Sequence, residues 1–260
     1  MIILTMIFET LNLWACLGLF IAGIVAFVIS TISGGGGALL LIPVTTSLIG
    51  ATATAPVVNL GTFISRPARL LMFWQDIDWS LVKFYMPSAI LGAWLAGFLF
   101  SKMNATWLQL LIGIFLVSTI WQYRFGKVDK SFAMPKLGFL PLGFGTAFIS
   151  TIVGGLGPVL NPFYMNVGLT KEDLIATKTF NSFFVGIAQI SSYAFFGVLN
   201  PSLWGYGIVL GLGAVIGNLI GKRLLAGISI KQFRVALITV MVVSGVVMIW
   251  QNLGLLISHF

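Results

Sequence analysis

A glycine-rich stretch that occurs twice constrains the fold of this chain more than any other feature. Residues 29–37 read Ile-Ser-Thr-Ile-Ser-Gly-Gly-Gly-Gly, and residues 149–157 read Ile-Ser-Thr-Ile-Val-Gly-Gly-Leu-Gly. Each copy lies inside a strongly apolar region and is followed by a proline, Pro43 or Pro162. In lipid, non-helical backbone is tolerated only where protein encloses it or where it lines a wet cavity. The fold must therefore enclose two breaks, one in each half of the chain.

The composition indicates a membrane protein. Of the 260 residues, 58% are hydrophobic and only 8% are charged, whereas about a quarter of the residues in a soluble domain are charged. The apolar runs are longer than the roughly ten-residue alternating strands of an outer-membrane barrel, which favours an all-α integral membrane protein surrounded by the lipid bilayer. The net charge of +8 comes from basic residues in loops, which sets the orientation in a membrane and does not indicate nucleic-acid binding.

The residues that carry most enzyme chemistry are scarce. Cys16 and His259 are the only cysteine and histidine, too few ligands for haem, an iron–sulfur cluster or zinc. No cofactor and no metal is therefore expected. General acid–base catalysis needs positioned ionisable groups, and a phosphate-binding loop needs a Gly-Lys-Ser/Thr ending. The sequence offers neither, which argues against an enzyme and against ATP-driven transport by this chain alone.

Ten apolar segments divide the chain into two similar halves. A membrane-spanning helix needs about 20 apolar residues. The first half contains segments 11–33, 38–49, 53–74, 81–100 and 106–123. The second half contains segments 137–153, 158–167, 174–197, 203–225 and 233–256. The second segment of each half is too short to cross about 30 Å of hydrocarbon, so it is either re-entrant, a short crossing, or part of a broken helix.

Further sequence echoes indicate a duplication. Leu-Gly-Ala occurs at residues 91–93 and again at 212–214, and Asn59 occupies the place that Asn181 has in the second half. The shared order of these pairs favours an internal repeat. We expect a first transmembrane repeat at 1–125, a basic cytoplasmic linker at 126–136 and a second transmembrane repeat at 137–260.

The basic loops predict how the two repeats are oriented. One loop contains Arg124, Lys127, Lys130 and Lys136, and the other contains Lys222, Arg223, Lys231 and Arg234. Both should be cytoplasmic by the positive-inside rule, so an even number of crossings separates them. A re-entrant or crossing second segment satisfies this count, and a broken helix does not. The count predicts two inverted repeats of about five helical segments each, in the cytoplasmic (inner) membrane, with both termini outside.

The glycine breaks are the predicted binding site. Each break leads into the N-terminus of a short helix, where unpaired N–H groups and the helix dipole favour an anion. The alternative is that the glycines only permit close helix packing. The predicted substrate-binding residues are Gly34, Gly35, Gly36, Gly37, Asn59, Arg66, Gly154, Gly155, Gly157, Asn161, Lys178, Asn181 and Gln189.

The intramembrane charges favour the same ligand class. Arg66 and Lys178 lie within predicted spans, where an ionisable residue indicates function by default, although Lys178 is close enough to its helix start to snorkel to the headgroups. Pro67 should kink the helix beside Arg66. All six acidic residues lie at segment ends or in loops: Glu9, Asp76, Asp78, Asp129, Glu172 and Asp173. A positive interior favours a small anion over a cation.

The motifs resemble those of the sulfite exporter TauE/SafE family. The resemblance rests on the four glycines ending at Gly37 with Pro43 after them, on their repeat ending at Gly157, and on the two Leu-Gly-Ala elements. It covers nearly the whole chain. It implies seven to nine spans and the transport of sulfite, thiosulfate, a sulfonate or a related organic sulfur anion. Leu156 and Pro158 in the second break depart from the pattern.

Three hypotheses remain open from the sequence. The first is a secondary transporter, an exporter or permease for a small sulfur-containing anion, that works by alternating access around the breaks. The second is an anion channel on the same scaffold. The third is a membrane-embedded enzyme or a partner protein that transports nothing, and the scarcity of acid–base groups argues against the enzyme.

Overall fold

The structure is a computed structural model that describes residues 11–33, 37–67, 70, 74–125, 135–156, 161–167, 169, 171–224 and 242–250. Within these ranges the chain is helical and has no strand. The helices are α1 (Leu13–Ser33), α2 (Gly37–Ile49), α3 (Ala51–Ile64), α4 (Trp79–Lys102), α5 (Ala105–Phe125), α6 (Phe139–Val153), α7 (Asn161–Asn166), α8 (Lys171–Phe195) and α9 (Pro201–Leu224). Residues 242–250 are also helical.

The predicted all-α membrane architecture is confirmed. Among the described residues, four helical segments are long and apolar enough to cross a membrane: Leu13–Thr31, Trp79–Lys102, Lys136–Val153 and Pro201–Gly221. The short second segment of the first half is also present, because α2 has 13 residues and a length of about 20 Å at 1.5 Å per residue. Its counterpart α7 has six. The predicted last segment, 233–256, lies outside the described residues except for 242–250.

The prediction of one helix over residues 53–74 is wrong. Helix α3 ends at Ile64, and the N–H of Arg66 donates to the oxygen of Phe63 at 3.1 Å in a tight turn. Pro67 has no N–H with which to continue the α-helical ladder. Residues 65–69, Ser-Arg-Pro-Ala-Arg, interrupt the apolar run, which resumes at Leu70. The single predicted helix joined the two apolar stretches across this polar break.

Side-chain caps and left-handed glycines fix the ends of the long helices. The side-chain oxygens of Asp78, Asn104 and Asn200 accept hydrogen bonds from the first turns of α4, α5 and α9, as N-cap residues do. Helix α6 ends at Gly154, whose φ of 104° is left-handed. Gly197, with a φ of 71°, follows α8. Positive φ at this position suits glycine because it has no Cβ.

Helices α1 and α9 pack side by side and run in the same direction. A Cβ on Gly23 would lie 2.6 Å from the oxygen of Leu210, so glycine is needed for this approach. Contacts further along the pair advance by one turn on both helices, from Gly213 and Phe20 to Gly217 and Ile24. Small residues that let helix backbones touch are typical of packing in membranes.

Helices α4 and α6 form a second parallel pair of the same kind. A Cβ on Gly143 would lie 2.5 Å from the oxygen of Tyr85, and Gly92 lies against the backbone of Phe144. The end of α4 and the start of α9 line the same cavity, so α4 and α6 run opposite to α1 and α9.

Helix α3 lies at the centre of the bundle. All of residues 53–62 are buried, and α3 contacts α2, α5, α6, α8 and α9. The outer helices expose large apolar side chains, among them Trp14, Leu91 and Leu219. A short helix enclosed by longer ones with apolar outer faces is the arrangement expected of a protein whose solvent is lipid.

Candidate functional site

The two glycine breaks meet inside the bundle. A Cβ on Gly155 would lie 2.7 Å from the Cβ of Ala38, the residue after Gly37. Gly154 packs against α3: a Cβ on Gly154 would lie 3.3 Å from the Cα of Ala55. We call the region formed by Gly37, Ala38, Gly154 and Gly155 the glycine junction. The predicted residues Gly34, Gly35, Gly36 and Gly157 lie outside the described residues.

Backbone geometry explains why the second break consists of glycines. Gly154 has a φ of 104° and Gly155 a φ of 154°, and both values disfavour residues with a side chain. At Gly155 a side chain would also enter the space that Ala38 occupies. These two positions therefore require glycine for conformation and for close approach.

A buried hydrogen-bond network holds the helix turn that precedes Gly154. The Asn59 amide donates to the backbone oxygen of Ser150 and to the Tyr193 hydroxyl, each at 3.1 Å. The Gln189 amide donates to the hydroxyls of Ser150 at 2.9 Å and Thr151 at 3.1 Å, and the Tyr193 hydroxyl donates to the oxygen of Thr151. We call these five residues the Ser150 network. Through it, α3 and α8 fix the end of α6.

The first break is supported mainly by α1. A Cβ on Gly37 would lie 2.9 Å from the oxygen of Ala26 and 2.9 Å from the Cβ of Ser30. The hydroxyl of Thr31 hydrogen-bonds the Asn218 side-chain oxygen on α9 at 2.8 Å. In both halves, the Ser-Thr pair before the glycines is therefore tied to helices from the other half.

Arg66 supplies positive charge just beyond α3. Its guanidinium donates to the backbone oxygen of Ser182 at 2.6 Å and to the Thr62 hydroxyl at 3.1 Å. Both acceptors are neutral, and in the described part of the chain no carboxylate pairs with Arg66. A partly buried cation without a negative partner leaves a positive field in its surroundings.

Asn181, one residue before Ser182, has an unsatisfied oxygen. The residue is 1% exposed, and its amide nitrogen donates to the Tyr164 hydroxyl at 2.7 Å. Its side-chain oxygen has no hydrogen-bond partner among the described residues. Leaving a buried acceptor unpaired costs about 1–3 kcal/mol, so this oxygen is available to a ligand or a water molecule.

The predicted site residues fall into two groups. Asn59 and Gln189 join the glycine junction through the Ser150 network. Arg66 bonds the backbone oxygen of Ser182, the residue after Asn181. From Ala55 to the end of α3 at Ile64 the helix rises about 14 Å, and Arg66 lies beyond that end. Lys178 lies one turn before Ser182 on α8 and is partly buried. The side chain of Asn161 is outside the described part of the structure.

The tyrosines that hold both groups were not predicted. Tyr193 and Tyr164 are 0% exposed, and Tyr85 is 3% exposed. The hydroxyl of each tyrosine is hydrogen-bonded to a polar side chain: Asn59, Asn181 and Thr146, respectively. In an apolar run a tyrosine reads as a hydrophobic residue, but the duplicated Ser-Thr pair was a usable signal for Ser150 and Thr151.

The fold and these polar groups define a class, the multi-pass helical membrane proteins with a polar, positively charged interior. Comparison with models of known families matches that of the sulfite exporter TauE/SafE family over residues 19–248. The match covers most of the chain, so the protein belongs to the TauE/SafE family. This family points to a membrane transporter of sulfite-type anions rather than an enzyme. No curated protein and no solved structure matched the chain.

Proposed function

We propose that this protein is a secondary transporter that exports a small sulfur-containing anion across the cytoplasmic membrane. The anion would be sulfite, thiosulfate or an organosulfonate, and it would bind at the glycine junction. The observation that carries the proposal is the contact between Gly155 and Ala38, which joins the two breaks in a member of a transporter family.

The chemistry of the junction suits an anion. Helix α2 begins at Gly37, so the first amide groups of α2 have no partner within their own helix and carry part of the helix dipole. Gly154 and Gly155 bring main chain without side chains to the junction, and other anion sites are built from main-chain N–H groups. The Ser150 network holds this backbone in place without adding negative charge.

Arg66 and Asn181 would form a second group of polar contacts for the anion on its way to or from the glycine junction. Asn59 and Thr62 are polar residues at helical spacing on α3. They lie between Ala55, at the glycine junction, and Arg66, just beyond the end of the helix. Arg66 would attract an anion into the interior, and the unsatisfied Asn181 oxygen would accept a hydrogen bond from water or from a protonated ligand. Ionisable groups enclosed in a membrane protein are costly and indicate substrate pathways.

The helix packing supports two inverted repeats. Exchanging the halves exchanges α1 with α6 and α9 with α4, so it converts one parallel pair into the other. The two pairs run in opposite directions, and Gly92 and Gly213, from the two Leu-Gly-Ala elements, each lie against a neighbouring backbone. Such repeats underlie alternating access around a central site in many transporters.

The proposal is tested with purified protein in proteoliposomes. Radiolabelled sulfite should enter with saturable kinetics, and unlabelled anion inside should accelerate this entry by counterflow. Thiosulfate, sulfoacetate and taurine serve as competitors, and chloride serves as the control anion. Flux that rises linearly with concentration and lacks counterflow would identify a channel, and absence of flux for every anion would refute transport.

A thermal-shift screen supplies an independent test of binding. A ligand that binds only the folded state raises its stability by RT ln(1 + [L]/Kd). We expect at least one sulfur anion to raise the melting temperature in a saturable way, whereas chloride at equal ionic strength does not. Equal shifts for all salts would indicate a nonspecific effect.

A further inference from the structure

A cavity of about 450 Å³ opens at the end of the bundle where α4 ends and α9 begins. Three turns contribute its wall, those between α2 and α3, α4 and α5, and α8 and α9. The wall includes Thr52, Ser101, Met103, Val198, Asn200 and Leu203. Phe100 and Leu108 also line it and are only 3% and 0% exposed, so they form its deep end.

Phe100 separates this cavity from the glycine junction. One side of Phe100 lines the cavity, and its ring packs edge-on against Tyr193 with centroids 5.6 Å apart. Tyr193 belongs to the Ser150 network, in which the backbone oxygen of Ser150 also accepts the N–H of Gly154 at 2.9 Å. Phe100 and Tyr193, two aromatic side chains in contact, therefore lie between the cavity and the residue that begins the second break.

The barrier at this point is apolar. Phe100 and Tyr193 belong to a buried cluster with Leu39, Ile42 and Val153, which come from α2 and from the end of α6. An apolar constriction blocks ions because water leaves it and a bare ion cannot enter. The wall of the cavity, in contrast, contains the polar side chains of Ser101 and Asn200.

We propose that this cavity is the external entrance of the anion route and that the Phe100 ring, seated on Tyr193, is the gate that closes it from the glycine junction. The proposal rests on the proposed transport function. In alternating access a closed barrier on one side of the site is required while the other side opens. Displacement of Phe100 from Tyr193 would join the cavity to the junction.

Cysteine accessibility tests the gate without requiring transport. Replacing Cys16, the only cysteine, by alanine gives a background without thiols. Ser101→Cys places a thiol in the cavity wall, and Ser150→Cys places one beyond Tyr193; both changes are nearly isosteric. A charged, membrane-impermeant thiol reagent applied to intact cells should modify Ser101→Cys at least tenfold faster than Ser150→Cys.

Removal of the ring should expose the inner thiol. We expect Phe100→Ala to accelerate modification of Ser150→Cys at least tenfold. Phe139→Ala is the matched control, because Phe139 is buried like Phe100 and packs edge-on against a tyrosine, Tyr164, at 5.2 Å, but it belongs to a different cluster. If Phe100→Ala does not fold, as judged by gel filtration, Phe100→Leu is measured in its place with the same expectation.

Three results would overturn the gate. They are shielding of Ser101→Cys from the external reagent, no change at Ser150→Cys when the ring is removed, or equal acceleration by Phe139→Ala. Tyr193→Phe, which keeps the ring and loses the hydroxyl, should leave Ser150→Cys shielded. Anion flux through the wild-type protein is measured separately. Absence of flux together with the expected labelling pattern would contradict the transport function, but it would not contradict the closure of the cavity by Phe100.

Discussion

Asn59 and Tyr193 are 134 positions apart in the sequence and share a buried hydrogen bond of 3.1 Å. The same Asn59 amide donates to the backbone oxygen of Ser150, so one side chain of α3 joins α8 to the last turn of α6. Buried polar groups with all partners in place rigidify a core. Asn59 therefore fixes the backbone from which the second glycine break begins.

Replacing Asn59 by alanine should impair transport more than stability explains. The change removes both hydrogen bonds, while the Tyr193 hydroxyl keeps its bond to Thr151, so we expect a stability loss of about 1–3 kcal/mol. Displacement of the junction should lower the export rate on the order of tenfold, since small misplacements of a binding geometry have large effects. Thermal unfolding in detergent and proteoliposome flux measure the two effects.

Asn104→Ala is the control for this prediction. Asn104 is an exposed asparagine whose side chain caps α5, so its loss should cost about 1 kcal/mol and leave flux unchanged. Equal loss of flux in both variants would show that the effect is one of general stability.

Gly155 should tolerate no side chain. An added Cβ would meet Ala38 at 2.7 Å, and the φ of 154° disfavours any residue with a Cβ. We expect Gly155→Ala to lower flux strongly and Gly155→Leu to abolish it by filling the junction. In the double variant with Ala38→Gly, Gly155→Ala should recover part of the flux, because the clash is removed and the backbone strain remains.

Gly145→Ala, on the helix α6 that precedes Gly155, provides the comparison. A Cβ on Gly145 meets nothing within 4 Å, and alanine stabilises a helix interior by about 0.5–1 kcal/mol relative to glycine. Flux at the wild-type level is expected for this variant. Flux at the wild-type level in Gly155→Leu would show that the glycine junction is not part of the transport route.

The helix ends near the breaks were predictable because their signals are local. The predicted segments ended at Ser33, Ile49 and Val153, as α1, α2 and α6 do. In each case an apolar run meets glycine, and glycine ends a helix through its own backbone freedom. The end of α3 was misjudged because apolar residues resume at Leu70, after a polar stretch at 65–69 in which Pro67 interrupts the hydrogen bonding.

The contacts of the site could not be predicted in the same way. Asn59, Asn181 and Gln189 stand out in the sequence as polar residues in apolar helices, but their partners lie on other helices. The bond from Gln189 to Ser150, for example, depends on how α8 packs against α6, which the pattern of a single helix does not determine. The separation of Arg66 from the junction follows from the length of α3 between them.

Arg66→Ala should weaken binding of the best sulfur anion at least tenfold. The guanidinium is held by Ser182 and Thr62, both neutral, so its positive charge remains available to a ligand. Arg66→Lys should have an intermediate effect, because lysine keeps the charge and loses the planar fork that reaches both oxygens. Titrations by thermal shift give the affinities.

Lys102→Ala is the charge-matched control for Arg66. Lys102 is exposed at the end of α4, where solvent screens its charge, so its removal should leave affinity nearly unchanged. Equal affinities of the wild type and Arg66→Ala would exclude Arg66 from the binding site.

The two ends of α4 allow a test of orientation on a single helix. With 24 residues, α4 is about 36 Å long, enough to place its ends on opposite sides of a bilayer. Ser80 lies in the first turn and accepts a hydrogen bond from the Lys136 ammonium at 2.6 Å, beside the basic linker predicted to be cytoplasmic. Ser101 lies in the last turn, at the cavity.

In the Cys16→Ala background, Ser101→Cys should react with an impermeant thiol reagent in intact cells, and Ser80→Cys should react only in inverted membrane vesicles. The reason is the positive-inside rule, which retains Lys136 and its neighbours in the cytoplasm. Labelling of both thiols from one side would contradict a membrane-spanning α4. Reaction of Ser80→Cys in intact cells and of Ser101→Cys only in inverted vesicles would show the opposite membrane orientation. The cavity would then lie at the cytoplasmic face, and Phe100 would close the internal rather than the external entrance.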